Sequence, residues 1–251
     1  MITVSAASQS RSGGSAFGRS GLRQAGEALS GAAGAVAVML TGGLVLVWVD
    51  LGPLSAHMAH HIGLMNVLTP MVAILLKRCD LSSANQSRSG APRLWGATAS
   101  QLALLWGWHL PAAQSWAMAS VAGQVAMHGS LFLAALFFWR TVLQPSGAGS
   151  WKSILALLVT GKLACLLGVL LIFSPRLLYP GLVGQHVHGV GHDIAAEASL
   201  ADQQLAGLLM IAACPLTYLL AGVVVANRMI SDLCRLDHQN AGERAPLLLR
   251  H

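Results

Sequence analysis

The sequence has little charge. Only 10% of its 251 residues are Asp, Glu, Lys or Arg, whereas 55% are hydrophobic. Soluble domains carry roughly 25% charged residues, and a chain this apolar could not cover a water-facing surface with polar groups. The shortage of charge therefore excludes an ordinary soluble domain and indicates that lipid is the solvent of most of the chain.

Acidic residues are the scarcer charged class, with 9 against 15 Lys and Arg, which gives a net charge of +6. No basic run is interleaved with aromatic residues, so the excess does not predict a nucleic-acid partner. Cysteine is also scarce, and two of the four cysteines fall inside apolar segments. A disulfide framework is therefore not expected.

Motifs for catalysis are missing as well. The sequence contains no serine–histidine–carboxylate motif, Walker loop, HExxH or dinucleotide-binding glycine pattern. We therefore expect a protein that is not an enzyme.

Long apolar segments dominate what is present. Each has a length close to the roughly 20 residues that cross a hydrocarbon core as a helix. They lie at 32–49, 54–76, 94–110, 119–143, 153–174 and 203–226. The fold class predicted is all-α: a polytopic membrane helical bundle of about six transmembrane helices over 31–228, without internal repeats. A Ser- and Gly-rich cytoplasmic tail over 1–30, favoured over an organelle transit peptide, and a second cytoplasmic tail over 229–251 would flank it.

Basic residues give the predicted bundle an orientation. If the N-terminus is cytoplasmic, thirteen Lys and Arg residues lie on that side, Lys162 lies within a span, and only Arg176 lies on the other side. Cytoplasmic loops carry the excess of Lys and Arg in membrane proteins. Both termini are therefore predicted to be cytoplasmic.

Histidines are distributed in the opposite way on this topology, because eight of ten fall at or near the outer face. The sharpest feature is HMAHH, in which His57 and His61 are four residues apart and project from one helix face. Met58 and His60 lie between them, and His128 lies about two turns inside another span. Imidazole and thioether groups both suit copper, so we predict a metal site here; a backbone hydrogen bond is the alternative role of a single histidine.

Other polar residues allow more than one interpretation. Asp202 opens the sixth segment, either as the cap of that helix or as a ligand or partner of the outer histidines. A histidine-rich outer loop contains His186, His188 and His192. Metal binding and simple solvation are both open interpretations of this loop. Lys162, near the centre of the fifth segment, needs a partner or neutrality in lipid.

Four stretches in order resemble one known family, the polytopic CtaG family of caa-type cytochrome c oxidase assembly factors. They are LSAHMAHHIGLMNVLTPMVAILL at 54–76, WGWHLPAAQSWAMASVAGQVAMHGSLFLAALFFWRTVL at 106–143, FSPRLLYPG at 173–181 and DQQLAGLLMIAACPLTYLL at 202–220. The combination of HMxxH, WHLP, a Tyr-Pro loop and DQQLAG is specific, although each element alone is weak.

The resemblance implies a bacterial cytoplasmic-membrane protein that matures an oxidase, with the subunit carrying the copper–haem centre as its partner and copper as its cargo. The family's motifs map onto His57, Met58, His61, His128 and Asp202, with Gln203 beside Asp202. Two other functions remain open from the residues themselves. A membrane cytochrome would use His57 or His61 with His128 as haem ligands. A metal transporter would line a path with Lys162, Cys165 and Cys214.

Overall fold

The structure is a computed structural model that describes residues 51–79, 91–144, 149–180 and 192–248. All regular secondary structure in these ranges is helical, which confirms the all-α prediction. The predicted N-terminal tail at 1–30 and the predicted first span at 32–49 lie outside the described residues.

Seven α-helices form this part of the chain. Helix α1 (Pro53–Ile62) continues through a π-helical segment (Gly63–Leu68) into α2 (Thr69–Cys79). The others are α3 (Ala91–Trp108), α4 (Pro111–Met118), α5 (Val121–Val142), α6 (Ser150–Phe173) and α7 (His192–Leu248).

Among the described residues, four helices are long and apolar enough to cross a membrane: Pro53–Lys77, Val121–Val142, Ser150–Phe173 and Glu197–Arg235. They match four of the six predicted spans. The predicted span at 94–110 corresponds to α3, which is 18 residues long but is not among the four. Large apolar side chains also cover the outside of the bundle, as on α7, where Leu216, Leu219 and Leu220 are 58–59% exposed. Such a surface fits lipid, and the chain is a helical membrane protein.

Two stretches between predicted spans are helical, namely 111–118 and the part of α7 that precedes residue 203. Residues 111–116 form most of α4, because Pro111 occupies the first helical position, where its missing N–H costs nothing. Helix α7 begins at His192 rather than near residue 203, and it runs on to Leu248. The apolar stretch 203–226 is therefore only the middle of α7, since an Ala-rich flank precedes it and a flank with several Leu and Arg residues continues the helix after it.

The π-helical segment begins two residues after HMAHH. The indole Nε1 of Trp139 on α5 donates to the carbonyl of Met65 in this segment at 2.9 Å. Met65 and Asn66 are both buried here. The segment thus turns these two side chains into the bundle directly beneath the histidines.

Helices α6 and α7 cross at a pair of glycines. A Cβ atom on Gly207 would lie 2.6 Å from the carbonyl oxygen of Gly168, and one on Gly168 would lie 2.9 Å from that of Gly207. Only residues without a side chain allow the two backbones to approach this closely, as is common in membrane bundles. The crossing fixes the height of α7 against α6.

Asp202 connects α7 to the start of α1. Its Oδ2 accepts from the backbone N–H of Leu54 at 2.8 Å, and its Oδ1 accepts from the N–H of Ser55 at 3.1 Å. The Ser55 hydroxyl donates to the same carboxylate. The first N–H groups of a helix have no intrahelical acceptor and carry partial positive charge, so a carboxylate there is stabilising. A Cβ atom on Gly52 would collide with Asp202, which explains the glycine at this position.

The prediction that Asp202 caps its own helix was therefore wrong, since ten residues of α7 precede it. The side chain of its neighbour Gln203 also connects α7 to another segment by hydrogen bonds. The Gln203 amide donates to the carbonyls of Leu171 and Arg176, both at 3.2 Å, and its oxygen accepts from the N–H of Leu178 at 2.8 Å. The Asp-Gln pair thus holds the beginning of α1 and the segment after α6 against one point of α7.

Substitution Gly207→Ala should destabilise the protein by about 1–3 kcal/mol, because the new methyl group overpacks the crossing with α6. The measurement is the thermal unfolding midpoint of purified protein in detergent. Gly222→Ala is the matched control on the same helix, since a Cβ there meets nothing within 4 Å. Equal midpoints for the two variants would contradict the close crossing.

Substitution Asp202→Asn keeps the shape of the side chain but leaves one acceptor oxygen for two N–H donors. We expect a loss of about 1–3 kcal/mol, the usual cost of a buried donor without a partner. Hydrogen exchange at Leu54 and Ser55 should become faster. Gln204→Ala, at the exposed neighbouring position, should leave exchange unchanged; equally slow exchange in Asp202→Asn would rule out the cap.

Candidate metal centre

Three histidines from two helices meet at one end of the bundle. His57 and His61 come from α1 and His128 from α5, and their potential ligand atoms all lie within 4.8 Å of one another. The ring centroids of His61 and His128 are 5.1 Å apart with nearly parallel planes, and those of His57 and His128 are 5.9 Å apart. These three residues are called the outer histidine cluster below.

Hydrogen bonds orient the two histidines of α1. The Nε2 atoms of His57 and His61 are 2.8 Å apart, and the Gln114 amide nitrogen on α4 lies 2.9 Å from the same His57 atom. An amide nitrogen only donates, so the Nε2 of His57 carries a lone pair. The Nε2–H of His61 therefore donates to it, and the Nδ1 of His61 carries the lone pair of that ring.

His128 is oriented by its own helix. Its Nδ1 donates to the carbonyl of Gln124 at 2.8 Å, one turn earlier. This bond fixes the proton on Nδ1 and leaves Nε2 as a lone pair for a ligand. Metal-binding histidines typically have their second ring nitrogen held in this way.

A fourth imidazole, His109, lies beside the cluster and is buried. Its Nδ1 donates to the carbonyl of Leu105 at 2.6 Å, and its ring centroid is 5.6 Å from that of His61. Its Nε2 is 3.3 Å from the sulphur of Met58. The hydroxyl of Tyr179 donates to the His109 carbonyl at 2.7 Å. Burial raises the pKa of Tyr179 to about 12, so this phenol keeps its proton at physiological pH.

The donor set fits a transition-metal ion. Two imidazole nitrogens bound to one ion at about 2.0–2.1 Å lie roughly 3 Å apart. The Nε2 atoms of His57 and His61 have nearly this spacing, and both would be free to bind one ion once the proton of His61 moves from Nε2 to Nδ1. The Nδ1 of His61 is buried and has no hydrogen-bond partner among the described residues, which is costly for a polar atom without a ligand. Imidazoles with an adjacent thioether suit copper in either oxidation state.

The structure thus brings together three of the six residues predicted as ligands. A fourth, Met58, contacts His109 beside the cluster. His60 points elsewhere: it is exposed, and its Nδ1 donates to the carbonyl of Ala56 at 2.8 Å. Asp202 is not part of the cluster, because its carboxylate caps α1. Metal ligation itself stays a prediction.

The remaining candidates do not form a common path. Cys214 on α7 is buried, Cys165 on α6 is half-buried, and Lys162 on α6 is exposed, away from the interior of the bundle. Of the histidine-rich loop, His186 and His188 lie outside the described residues, and His192 is described only as the first residue of α7.

Sequence reasoning missed Gln114. Its helix was predicted to be a turn, although Pro111 followed by helix-forming residues is a start signal. The helix places Gln114, a buried side chain, against His57 from a third direction. No spacing rule in the sequence relates these two positions.

Comparison with protein families matches residues 92–232 to the cytochrome c oxidase caa3 assembly factor family (Caa3_CtaG). Comparison with curated proteins and with solved structures gave no match. The matched region covers more than half of the chain and includes His109, Gln114, His128 and the Asp202–Gln203 pair, but not His57 and His61. By this match, the chain belongs to the caa3 cytochrome c oxidase assembly factor family.

Proposed function

We propose that this protein serves cytochrome c oxidase assembly by binding copper at the outer histidine cluster and passing it to the oxidase subunit that carries the copper–haem centre. The observation that carries the proposal is the convergence of three imidazoles from α1 and α5, with ligand atoms within 4.8 Å. Family membership supports the oxidase as the recipient.

Distribution of charge supports delivery at the non-cytoplasmic face. At the end of the bundle away from the cluster, Lys77 donates to the carbonyl of Leu143 at 2.8 Å, and Arg228 lines the same cavity as Lys77. Arg176 is held near the cluster end through Gln203. The excess of basic residues marks the cytoplasmic side. The histidines would then face the compartment in which copper arrives from outside the cell.

The geometry also suits transfer rather than permanent storage. His128 is half-buried, so the cluster is reachable from one side, whereas His61 is only 4% exposed. A few imidazoles on a partly open face hold an ion without enclosing it.

Replacing His57 and His128 by Ala should lower copper affinity at the cluster by at least about 100-fold, since two of three ligands are lost and outer-shell changes alone cost 10–100-fold. The measurement is a titration of purified protein with Cu(I) and Cu(II) against a chelator of known affinity. His60→Ala is the matched control, because His60 lies on the same helix but outside the cluster. Unchanged affinity in the double variant would overturn the copper site, and a Soret band in purified protein would favour haem instead.

The same double variant should reduce the copper content and activity of the oxidase in cells that otherwise lack this protein, while His60→Ala should support wild-type activity. Membrane levels of each variant are compared by immunoblotting, so that loss of the protein is not mistaken for loss of delivery. Full oxidase activity in the double variant, at equal protein level, would contradict a role of the cluster in assembly.

A further inference from the structure

A second set of possible metal ligands lies beneath the outer histidine cluster. It surrounds a cavity of about 20 Å³ between α1, the π-helical segment, α3, α6 and α7. A space of roughly 10–15 Å³ already admits one water-sized body, so this cavity has room for one ion. Sulphur and imidazole side chains supply most of its donor atoms, namely Met58, His61, Met65, His109, Met210 and Cys214.

We propose that this sulphur-lined cavity is a second binding site, for a soft monovalent metal ion such as Cu(I). The proposal goes beyond the outer histidine cluster, because thioether and thiolate ligands select Cu(I), whereas imidazoles alone accept several divalent ions. It does not depend on which protein receives the metal.

The closest pair of donors already has the spacing of a metal site. His109 carries its proton on Nδ1, which donates to the Leu105 carbonyl, so its Nε2 is a lone pair. That atom faces the thioether sulphur of Met58 at 3.3 Å. Neither atom supplies a hydrogen to the other, and both are buried. Nitrogen and sulphur bound to one ion at about 2.0 and 2.3 Å lie about this far apart.

His61 provides the second observation. Its ring is 4% exposed and borders the cavity, and its Nδ1 is a lone pair without a hydrogen-bond partner in the described part of the chain. The Nε2 edge of the same ring faces His57 and the outer cluster. His61 therefore stands between the two sites. Because a neutral imidazole carries one proton, binding an ion at Nδ1 keeps the proton on Nε2, and binding at Nε2 moves it to Nδ1.

Cys214 closes the cavity from α7. The Asn66 amide, presented by the π-helical segment, donates to its sulphur at 3.3 Å. A donor at this position stabilises the negative charge of a bound thiolate. Coordination of Cu(I) by Cys214 replaces the thiol proton, which leaves to solvent, so one proton is released for each ion bound.

The test is X-ray absorption spectroscopy of full-length protein loaded with Cu(I) in detergent under reducing conditions. Wild-type protein should show sulphur neighbours at about 2.3 Å, the usual metal–thiolate distance. The His57→Ala/His128→Ala variant should keep these sulphur neighbours and still bind one Cu(I), although its outer cluster is lost.

The M58L/M65L/M210L/C214A variant, which removes every sulphur atom that lines the cavity, should lose the sulphur neighbours and weaken Cu(I) binding by at least about tenfold at this site, while imidazole coordination at the outer cluster remains. Met→Leu changes nearly conserve volume, and the M58L/M65L/M210L variant is measured separately in case the loss of Cys214 impairs folding. Met71→Leu and Cys165→Ala are matched controls, since neither residue lines the cavity.

Absence of sulphur neighbours in wild-type protein, or their persistence in M58L/M65L/M210L/C214A, would overturn the proposal. Loss of sulphur neighbours in His57→Ala/His128→Ala would also overturn it, because the two sets would then be one site. Failure of the proposed function has a different signature: wild-type protein would bind only one Cu(I), with sulphur neighbours, and His57→Ala/His128→Ala would leave both the number of bound ions and the sulphur neighbours unchanged.

Discussion

The contact between the Asp202 carboxylate and the first N–H groups of α1 is the constraint on which the site depends. A helix start buried among other helices cannot use water for its free donors, so an acceptor must come from the protein. Here it comes from α7, 148 residues away along the chain. This contact fixes where α1 begins and therefore the height at which His57 and His61 lie. Gly52 makes the approach possible, since any side chain there would collide with the carboxylate.

The polar interior is otherwise built from contacts that each connect two or more helices. Gln203 holds the segment after α6, from which Tyr179 donates to the His109 backbone. Trp139 on α5 donates to the Met65 carbonyl of the π-helical segment. Hydrogen bonds in lipid have no competition from water, so these contacts keep the imidazoles in a fixed arrangement. The buried Nδ1 lone pair of His61 is left without a hydrogen-bond donor among the described residues, and an ion would satisfy it.

The set of donors becomes softer with depth, because thioether and thiol sulphur atoms join the imidazoles beneath the outer histidine cluster. Imidazoles lie at the accessible end, and sulphur atoms lie beneath them, with His61 between the two sets. Such a gradient suits an ion that changes its ligands one at a time, because each exchange replaces one bond by a similar one.

The sequence by itself determined the class of the protein: the scarcity of charge and the lengths of the apolar segments required a helical membrane bundle, and the spacing of His57 and His61 placed both on one helix face. Motifs also identified the family. Local pattern could not determine where α7 begins, because its polar flanks are as compatible with helix as with loop. It could not assign Asp202 to the cap of α1, exclude His60, or bring Gln114 and Cys214 to the histidines. These facts depend on how distant helices pack, and the close approach of α6 and α7 at Gly168 and Gly207 shows why: backbone contacts between segments set the positions that periodicity within one segment leaves free.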